Sequence, residues 1–468
     1  MTKRGRVHPY MPNSVPDVRA EMLRDIGATS AEELYREMIP ERLLLNRRMR
    51  LPDALPAEHD LRRHLEAVLG KNETCREYLS FLGGGCWQHY VPAVVDEIIR
   101  RSEFLTAYSG GNYSDKGRYQ AYFEFQSLMG ELLGMDVVGV TTYDWAAAAG
   151  NAIRMASRLT KRFEVLVPSM MSPRRLAVLR NFAGLTGMPG AIDLVTVASD
   201  PASGMLDLGD LEAKISDRTA AVYFENPSYL GVIEARGADV SEIAHAHGAE
   251  SVVGVDPISL GVLAPPSEYG ADIVCGEAQP LGVHMLAGGG LAGFLASRDE
   301  ERYVGEFPSL LISVTTTQTP GELAFAHCRY ERTSYIARDQ AKDWVGTATA
   351  LWGIAATAYM ALLGPQGFRD VGEGILQRSH YAADRLSEIR GVEVAFPTFF
   401  KEFVVRLTRT RTSVERINRA LRKHRIFGGH DLTTEFPHLG RAALYAVTEA
   451  HTQEDIDRLV RAMKEAVR

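Results

Sequence analysis

Between about residues 61 and 300, short apolar segments alternate with segments of helical pattern. Glu164-Val-Leu-Val167, Ala221-Val-Tyr-Phe224, Ser251-Val-Val-Gly-Val255 and Asp272-Ile-Val274 are rich in strand formers. Asp136-Val-Val-Gly-Val-Thr141 is also strand-like. Around and between them lie helix candidates: a short one opened by Pro92, residues 119–133 stopped by Gly134, and residues 146–159, 174–182 and 240–247. Strands that are apolar on both faces and separated by helices predict a mostly parallel sheet covered on both sides. Ligands of such sheets sit beyond the carboxyl ends of the strands.

The flanks read differently. Residues 1–60 read as an arm with short helices, one opened by the capping box Ser30-Ala-Glu-Glu33. Pro52 and Pro56 mark extended chain. Residues 61–340 form the large domain, and residues 341–468 a linking helix followed by a small α+β domain. In that tail Glu402-Phe-Val-Val-Arg-Leu407 and residues 442–447 read as strands, and residues 414–424 and 454–467 as helices. Residues 345–365 carry no charge over the length of a membrane span. They are rich in Ala, Gly and Thr, which gain little in lipid, so a buried helix is expected.

Composition narrows the function classes. A net charge of −7 argues against nucleic acid or an anionic membrane as the main partner. Cys75, Cys86, Cys275 and Cys328 are scattered without a CxxC pair, which suits a reducing cytoplasm and argues against a cysteine metal site. The first residues lack an apolar run of the kind a secretory signal needs.

Asp256 ends a strand in Gly254-Val-Asp-Pro-Ile-Ser259. Two readings stand: a turn-opening Asp before Pro257, or the carboxylate that keeps a cofactor's pyridine nitrogen protonated in an aminotransferase-type fold. In that fold the segment from Gly270 to Gly282 sits about where the cofactor lysine belongs, and the place holds Gln279. An amide nitrogen cannot form a Schiff base with a cofactor aldehyde. The chain has nine lysines, of which Lys342 is the best substitute candidate, although it lies in another segment. Thr141-Thr-Tyr-Asp-Trp-Ala-Ala147 leads into a helix N-terminus, a natural anion site. The bulk of Trp145 and the charge of Asp144 favour a plain N-cap there. Gly83-Gly-Gly85 and Gly288-Gly-Gly290 match no phosphate-loop pattern. His89, Tyr90, Tyr108 and Tyr113 form a cluster suited to a pocket rim. His245 and His247 are two apart on a helix and point to different sides, so no metal site is expected.

Many stretches resemble one family in order along nearly the whole chain. They include Met11-Pro-Asn, Tyr78-Leu-Ser-Phe-Leu-Gly-Gly-Gly85, His89-Tyr-Val-Pro-Ala-Val-Val-Asp96, Arg101-Ser-Glu-Phe-Leu-Thr-Ala-Tyr108 and Phe123-Glu-Phe-Gln126. Gly134-Met-Asp-Val137, Glu225-Asn-Pro-Ser-Tyr-Leu-Gly-Val232, Val255-Asp-Pro-Ile-Ser-Leu260, Glu402-Phe-Val-Val405 and Val447-Thr-Glu449 continue the series. The chain resembles subunit 1 of glycine decarboxylase, the P-protein of the glycine cleavage system in its two-subunit form.

The resemblance implies the fold class: α/β, aminotransferase-like, fold type I of the pyridoxal phosphate-dependent transferases. It implies that a homologous partner subunit carries the cofactor lysine, which Gln279 fits, and that Asp256 and Gln279 are relics of a cofactor site. His89, Tyr108 and Tyr113 are the residues expected to reach the cofactor held by the partner. The resemblance implies glycine or a related amino acid as substrate and a lipoyl carrier protein as acceptor; the departures that follow predict instead a substrate other than free glycine, or the loss of lipoyl transfer. The chain departs from the family at Ser109-Gly-Gly-Asn-Tyr-Ser-Asp-Lys-Gly117, at Trp145 and at Arg338-Asp-Gln-Ala-Lys-Asp-Trp344. These departures keep a second reading open, a non-catalytic scaffold subunit.

Overall fold

The computed structural model of the chain describes residues 10–11, 14–45, 47, 49–105, 117–185, 187–286, 290–309, 311–334, 341–343, 348–408 and 412–467. The chain divides into two units, Met1–Glu73 and Thr74–Arg468.

The first unit contains the helices Pro16–Asp25, Ala31–Met38 and Glu58–Leu69, none of which buries a residue. The cap at Ser30 forms as the motif predicts, with its hydroxyl accepting from Glu33 N at 3.2 Å. The Glu33 carboxylate accepts from Thr29 N at 2.8 Å, so the return bond of the capping box lands one residue early.

The second unit is built on a seven-stranded sheet: β1 (Val137–Val138), β2 (Glu164–Pro168), β3 (Asp193–Val197), β4 (Thr219–Asn226), β5 (Glu250–Val255), β6 (Ile273–Glu277) and β7 (Gly293–Ser297). Their order is β1-β7-β6-β5-β4-β2-β3. Strands β3, β2, β4, β5 and β6 run parallel, and β7 is antiparallel to both its neighbours. Successive side chains of a strand point to opposite faces. Accordingly Val222 and Phe224 enter one core, and Ala221 and Tyr223 the other. Helix Trp145–Thr160 supplies Ala148, Ala149, Ala152 and Ile153 to the second core, and helix Gly237–Ala246 supplies Val240 and Ala244 to the first. The expected sheet covered on both sides is therefore present, and it is mixed.

Helix Tyr119–Leu133 ends on Gly134 at φ 65°, a left-handed cap that glycine adopts without strain. The uncharged stretch read at 345–365 lies largely in helix Ala350–Ser387, which bends at Gly364 (φ 59°) before Pro365. Ala355, Ala356, Tyr359 and Met360 pack into the first core. Among the described residues no helix is long and apolar enough to cross a membrane.

A second sheet follows, with β8 (Val392–Val394), β9 (Glu402–Leu407), β10 (His430–Asp431) and β11 (Ala442–Ala446) in the order β8-β9-β11-β10. All its pairings are antiparallel. Helices Val414–Lys423 and Gln453–Val467 share one core with this sheet through Ile417, Leu421, Leu459, Val405 and Tyr445. The hairpin Ile312–Thr316 and Leu323–His327 forms a separate two-stranded antiparallel sheet, tied to helix Tyr119–Leu133 by Tyr119 Oη and His327 Nε2 at 2.7 Å.

Candidate functional site

The carboxyl ends of β5 and β6 face the start of β9, the turn after β11 and the segment 83–90. Charged groups gather there without solvent. Lys401 and Asp256 have side chains 3% and 5% exposed, and Lys401 Nζ lies 2.7 Å from Asp256 Oδ2. The other oxygen of Asp256 accepts from Ile258 N at 3.2 Å and opens the turn Pro257–Gly261. Asp256 thus opens the turn, and it also holds a cation of the chain itself.

That cation is fully engaged. An ammonium has three hydrogens. One faces Asp256, His89 Nε2 lies 3.1 Å away, and the Trp87 ring centroid lies 3.5 Å away. A desolvated cation over an indole face gains about 2 kcal/mol. Because Lys401 donates to Nε2, His89 carries its proton on Nδ1, which donates to Glu449 Oε2 at 2.8 Å. Tyr90 N donates to Glu449 Oε1 at 2.7 Å. A hydrogen-bonded chain therefore runs from Asp256 through Lys401 and His89 to Glu449, and ends beside Tyr90, which is 65% exposed.

Gln279 is buried two residues past β6. Its amide donates to Trp87 O at 3.0 Å and Val283 O at 2.9 Å, and its oxygen accepts from Trp87 N at 3.1 Å. An amide suits this place because it offers donors and an acceptor together. Its side chain ties the segment 83–90 to the sheet. Further ties are Gly84 N to Glu402 Oε1 at 2.7 Å and Thr448 Oγ1 to Gln88 O at 2.6 Å.

Helix Trp145–Thr160 presents its N-terminus to the same region. Asp144 caps it, accepting from Ala147 N at 2.7 Å, and Glu277 accepts from Trp145 N at 3.1 Å. These amides therefore meet carboxylates of the chain itself. The Trp145 indole is buried, with the Arg175 guanidinium 3.8 Å from its ring centroid. The indole fits because β5 has a glycine opposite it: a Cβ on Gly254 would stand 2.8 Å from Trp145 Cζ2. Arg175 also pairs with the buried Glu225, whose Oε1 accepts from Tyr223 Oη at 2.8 Å. The space left among Gly85, Trp87, Trp145, Arg175, Asp256 and Lys401 is about 10 Å³, room for about one water molecule.

Burial pushes Glu277 and Glu402 up to about 7, although backbone N–H groups and, for Glu402, the Lys401 charge pull the other way. Burial also acts on Glu449, but His89 and the Tyr90 amide outweigh it and hold that carboxyl down near about 2. A carboxyl raised on folding stabilises the fold fully below its unfolded value of 4.5, and that stability is lost as pH rises through about 7. Glu449 has the opposite sign, with stability present above 4.5 and lost toward about 2. Raising the pH from about 5.5 to about 8 is therefore expected to lower unfolding stability by about 2 kcal/mol for Glu402 alone. Comparing chemical unfolding of the parent and Glu402→Gln at the two pH values checks this. A Glu402→Gln chain with an undiminished pH response would contradict it.

Of the residues singled out in the sequence, His89, Asp256 and Gln279 come together within this region. Tyr108 and Tyr113 lie outside the described residues. The His89 side chain is 2% exposed and its ring nitrogens are engaged inside its own chain. The Lys342 backbone amide donates to Ser334 Oγ at 2.9 Å. His245 pairs with Asp272, and among the described residues no group of His, Cys, Asp and Glu could hold a metal ion. Lys401, Trp87, Glu449, Arg175 and Glu277 were not legible as site residues. Only the position of Glu277 at a strand's carboxyl end carried a signal.

A family profile described as "Glycine cleavage system P-protein" matches residues 8–463. The chain is 38% identical over 468 residues to a probable glycine dehydrogenase (decarboxylating) subunit 1 of Staphylothermus marinus, covering 98% of each chain. It is 39% identical over 469 residues to the protein of the same description in Aeropyrum pernix, covering 97% of this chain and 98% of the relative. Among solved structures it resembles a glycine decarboxylase (P-protein) of the glycine cleavage system in inhibitor-bound form, with TM-score 0.85 and 34% identity, over 98% of this chain and 100% of that one. A sphingosine-1-phosphate lyase of Burkholderia pseudomallei shares the fold, with TM-score 0.64 and 15% identity over 92% of this chain and 94% of that one.

Proposed function

The chain belongs to the glycine cleavage system P-protein family, and on that premise we propose that it is the first of two subunits of a glycine decarboxylase whose pyridoxal phosphate is held by a lysine of the partner subunit. The fold is that of the pyridoxal phosphate-dependent transferases of fold type I. In enzymes of this kind the cofactor serves as an electron sink.

The residues at this chain's own place for the cofactor do not fit it. The observation that carries this reading is Gln279, whose amide makes three hydrogen bonds within the chain where a Schiff-base lysine would stand. Asp256 is already paired with Lys401. The amides at the start of helix Trp145–Thr160 are bonded to Asp144 and Glu277. The remaining space suits about one water molecule. A chain so arranged supports catalysis by shaping a site held on another chain. We assign that task to the segment 83–90, with His89 positioning Tyr90, and to Tyr108 and Tyr113. Glycine is the substrate and a lipoyl carrier protein the acceptor.

The first unit favours an obligate assembly. Met38, Leu43 and Leu51 are 73%, 66% and 69% exposed, and its three helices bury no residue. Exposed apolar surface of this extent marks a surface that another protein covers. We place the partner subunit there.

Carbon dioxide release from glycine, measured with both subunits and a lipoylated carrier, tests the proposal. Activity is expected to need both chains, with a drop of at least about a hundredfold when this chain is omitted, because positioning groups are lost. A partner subunit fully active alone would sink it. Full activity of the complex after Tyr108→Phe with Tyr113→Phe would favour the scaffold reading.

A further inference from the structure

We propose that Lys401 permanently occupies the place a cofactor's ring nitrogen would take, so that the pocket of this subunit is filled from within and stays shut to pyridoxal phosphate at any concentration. The inference rests on the reading that the cofactor belongs to the partner subunit.

The argument is geometric. In pyridoxal phosphate the aldehyde carbon and the ring nitrogen sit at opposite ends of the ring. A lysine joined to the aldehyde carbon cannot at the same time touch the carboxylate that holds the ring nitrogen. Lys401 Nζ lies 2.7 Å from Asp256 Oδ2, so it stands at the nitrogen's end. Its ammonium satisfies what a protonated pyridine would satisfy there, a positive N–H donor aimed at a buried carboxylate. The two remaining hydrogens face His89 Nε2 and the Trp87 ring. No lone pair is left to attack a carbonyl.

The same replacement recurs at the other contacts a cofactor would need. Gln279 bonds back to Trp87 and Val283. Asp144 and Glu277 accept from the helix amides that would meet a phosphate. The Trp145 indole, stacked under Arg175 and lying against Gly254, takes up volume between them. A filled pocket also explains how Arg175, Asp256, Glu277 and Lys401 stay buried together: each faces an opposite charge, a hydrogen-bond partner or an aromatic face. This subunit therefore keeps a closed pocket with no cofactor to hold it closed.

The test uses the intact two-subunit complex. One sample is incubated with excess pyridoxal phosphate and reduced with borohydride, a second is acylated at lysine, and modified peptides are mapped by mass. Lys401 is expected to escape both reagents, with acylation at least about tenfold slower than at the exposed Lys161, Lys423 and Lys464, because the reagent must wait for the pocket to open. Borohydride trapping on Lys401, or acylation there as fast as at the exposed lysines, would overturn the inference. Trapping on the partner's lysine reports on the functional reading separately. If no partner lysine is trapped and Lys401 is still untouched, the functional reading fails and the filled pocket stands.

Discussion

Replacing Gln279 with lysine is expected to leave the subunit without covalent cofactor and to destabilise it by about 3 kcal/mol or more. The substitution removes the acceptor for Trp87 N, which is buried, and places an ammonium where the side chain is sealed from water. A lysine there gains nothing in return. The carboxylate that would face a ring nitrogen is bound to Lys401, and the helix amides that would face a phosphate are bound to Asp144 and Glu277. Absorbance after addition of pyridoxal phosphate, borohydride trapping and chemical unfolding read the outcome. A stable Gln279→Lys chain that traps one equivalent of cofactor at position 279 would show that the pocket opens readily.

The second large effect lies at Arg175. Arg175→Met is expected to cost about 3–5 kcal/mol, because it leaves the Glu225 carboxylate buried without its cation. Glu225 already has one oxygen, Oε2, with no hydrogen-bond partner among the described residues. Its side chain is 1% exposed, so it cannot turn to water. The Trp145 indole also loses the guanidinium that covers its ring. Glu225→Gln on the Arg175→Met background removes the stranded charge, keeps an acceptor for Tyr223 and is expected to recover more than half of the loss. Chemical unfolding of the parent, both single variants and the double variant closes the cycle. Additive losses would mean that the pair is not coupled.

Local pattern made most of the main sheet readable before any coordinates. The strands β2, β4, β5 and β6 are apolar on both faces, and that property alone implies helices above and below. Gly134 and Asp144 announced a helix end and a helix start because capping is a local interaction. The strands that escaped notice lack such a signature. β3 is an edge strand whose Asp193 and Thr196 are exposed, and β7 contains glycine and alanine and runs against its neighbours. The strand-like residues 136–141 form regular strand only at Val137–Val138. The pairing continues irregularly, through Gly139 N to Leu295 O and an isolated bridge from Thr142 to Gly293. In the site, Asp256 and Gln279 could be placed by their distance from strand ends. Lys401 could not, since nothing local connects the residue just before β9 with the residue that opens the turn after β5 in the other sheet. Its role arises only when the two sheets pack, and the same holds for Glu449.

The close contact between Trp145 and Gly254 bears on how far one substitution can reach. Supplying a lysine at position 279 takes a single replacement. The Trp145 indole, however, lies against the bare position Gly254, Arg175 stacks on the indole, and Lys401 pairs with Asp256. Each of these contacts holds the next in place. The arrangement works as an interlock: opening room for a large ligand here takes several simultaneous replacements.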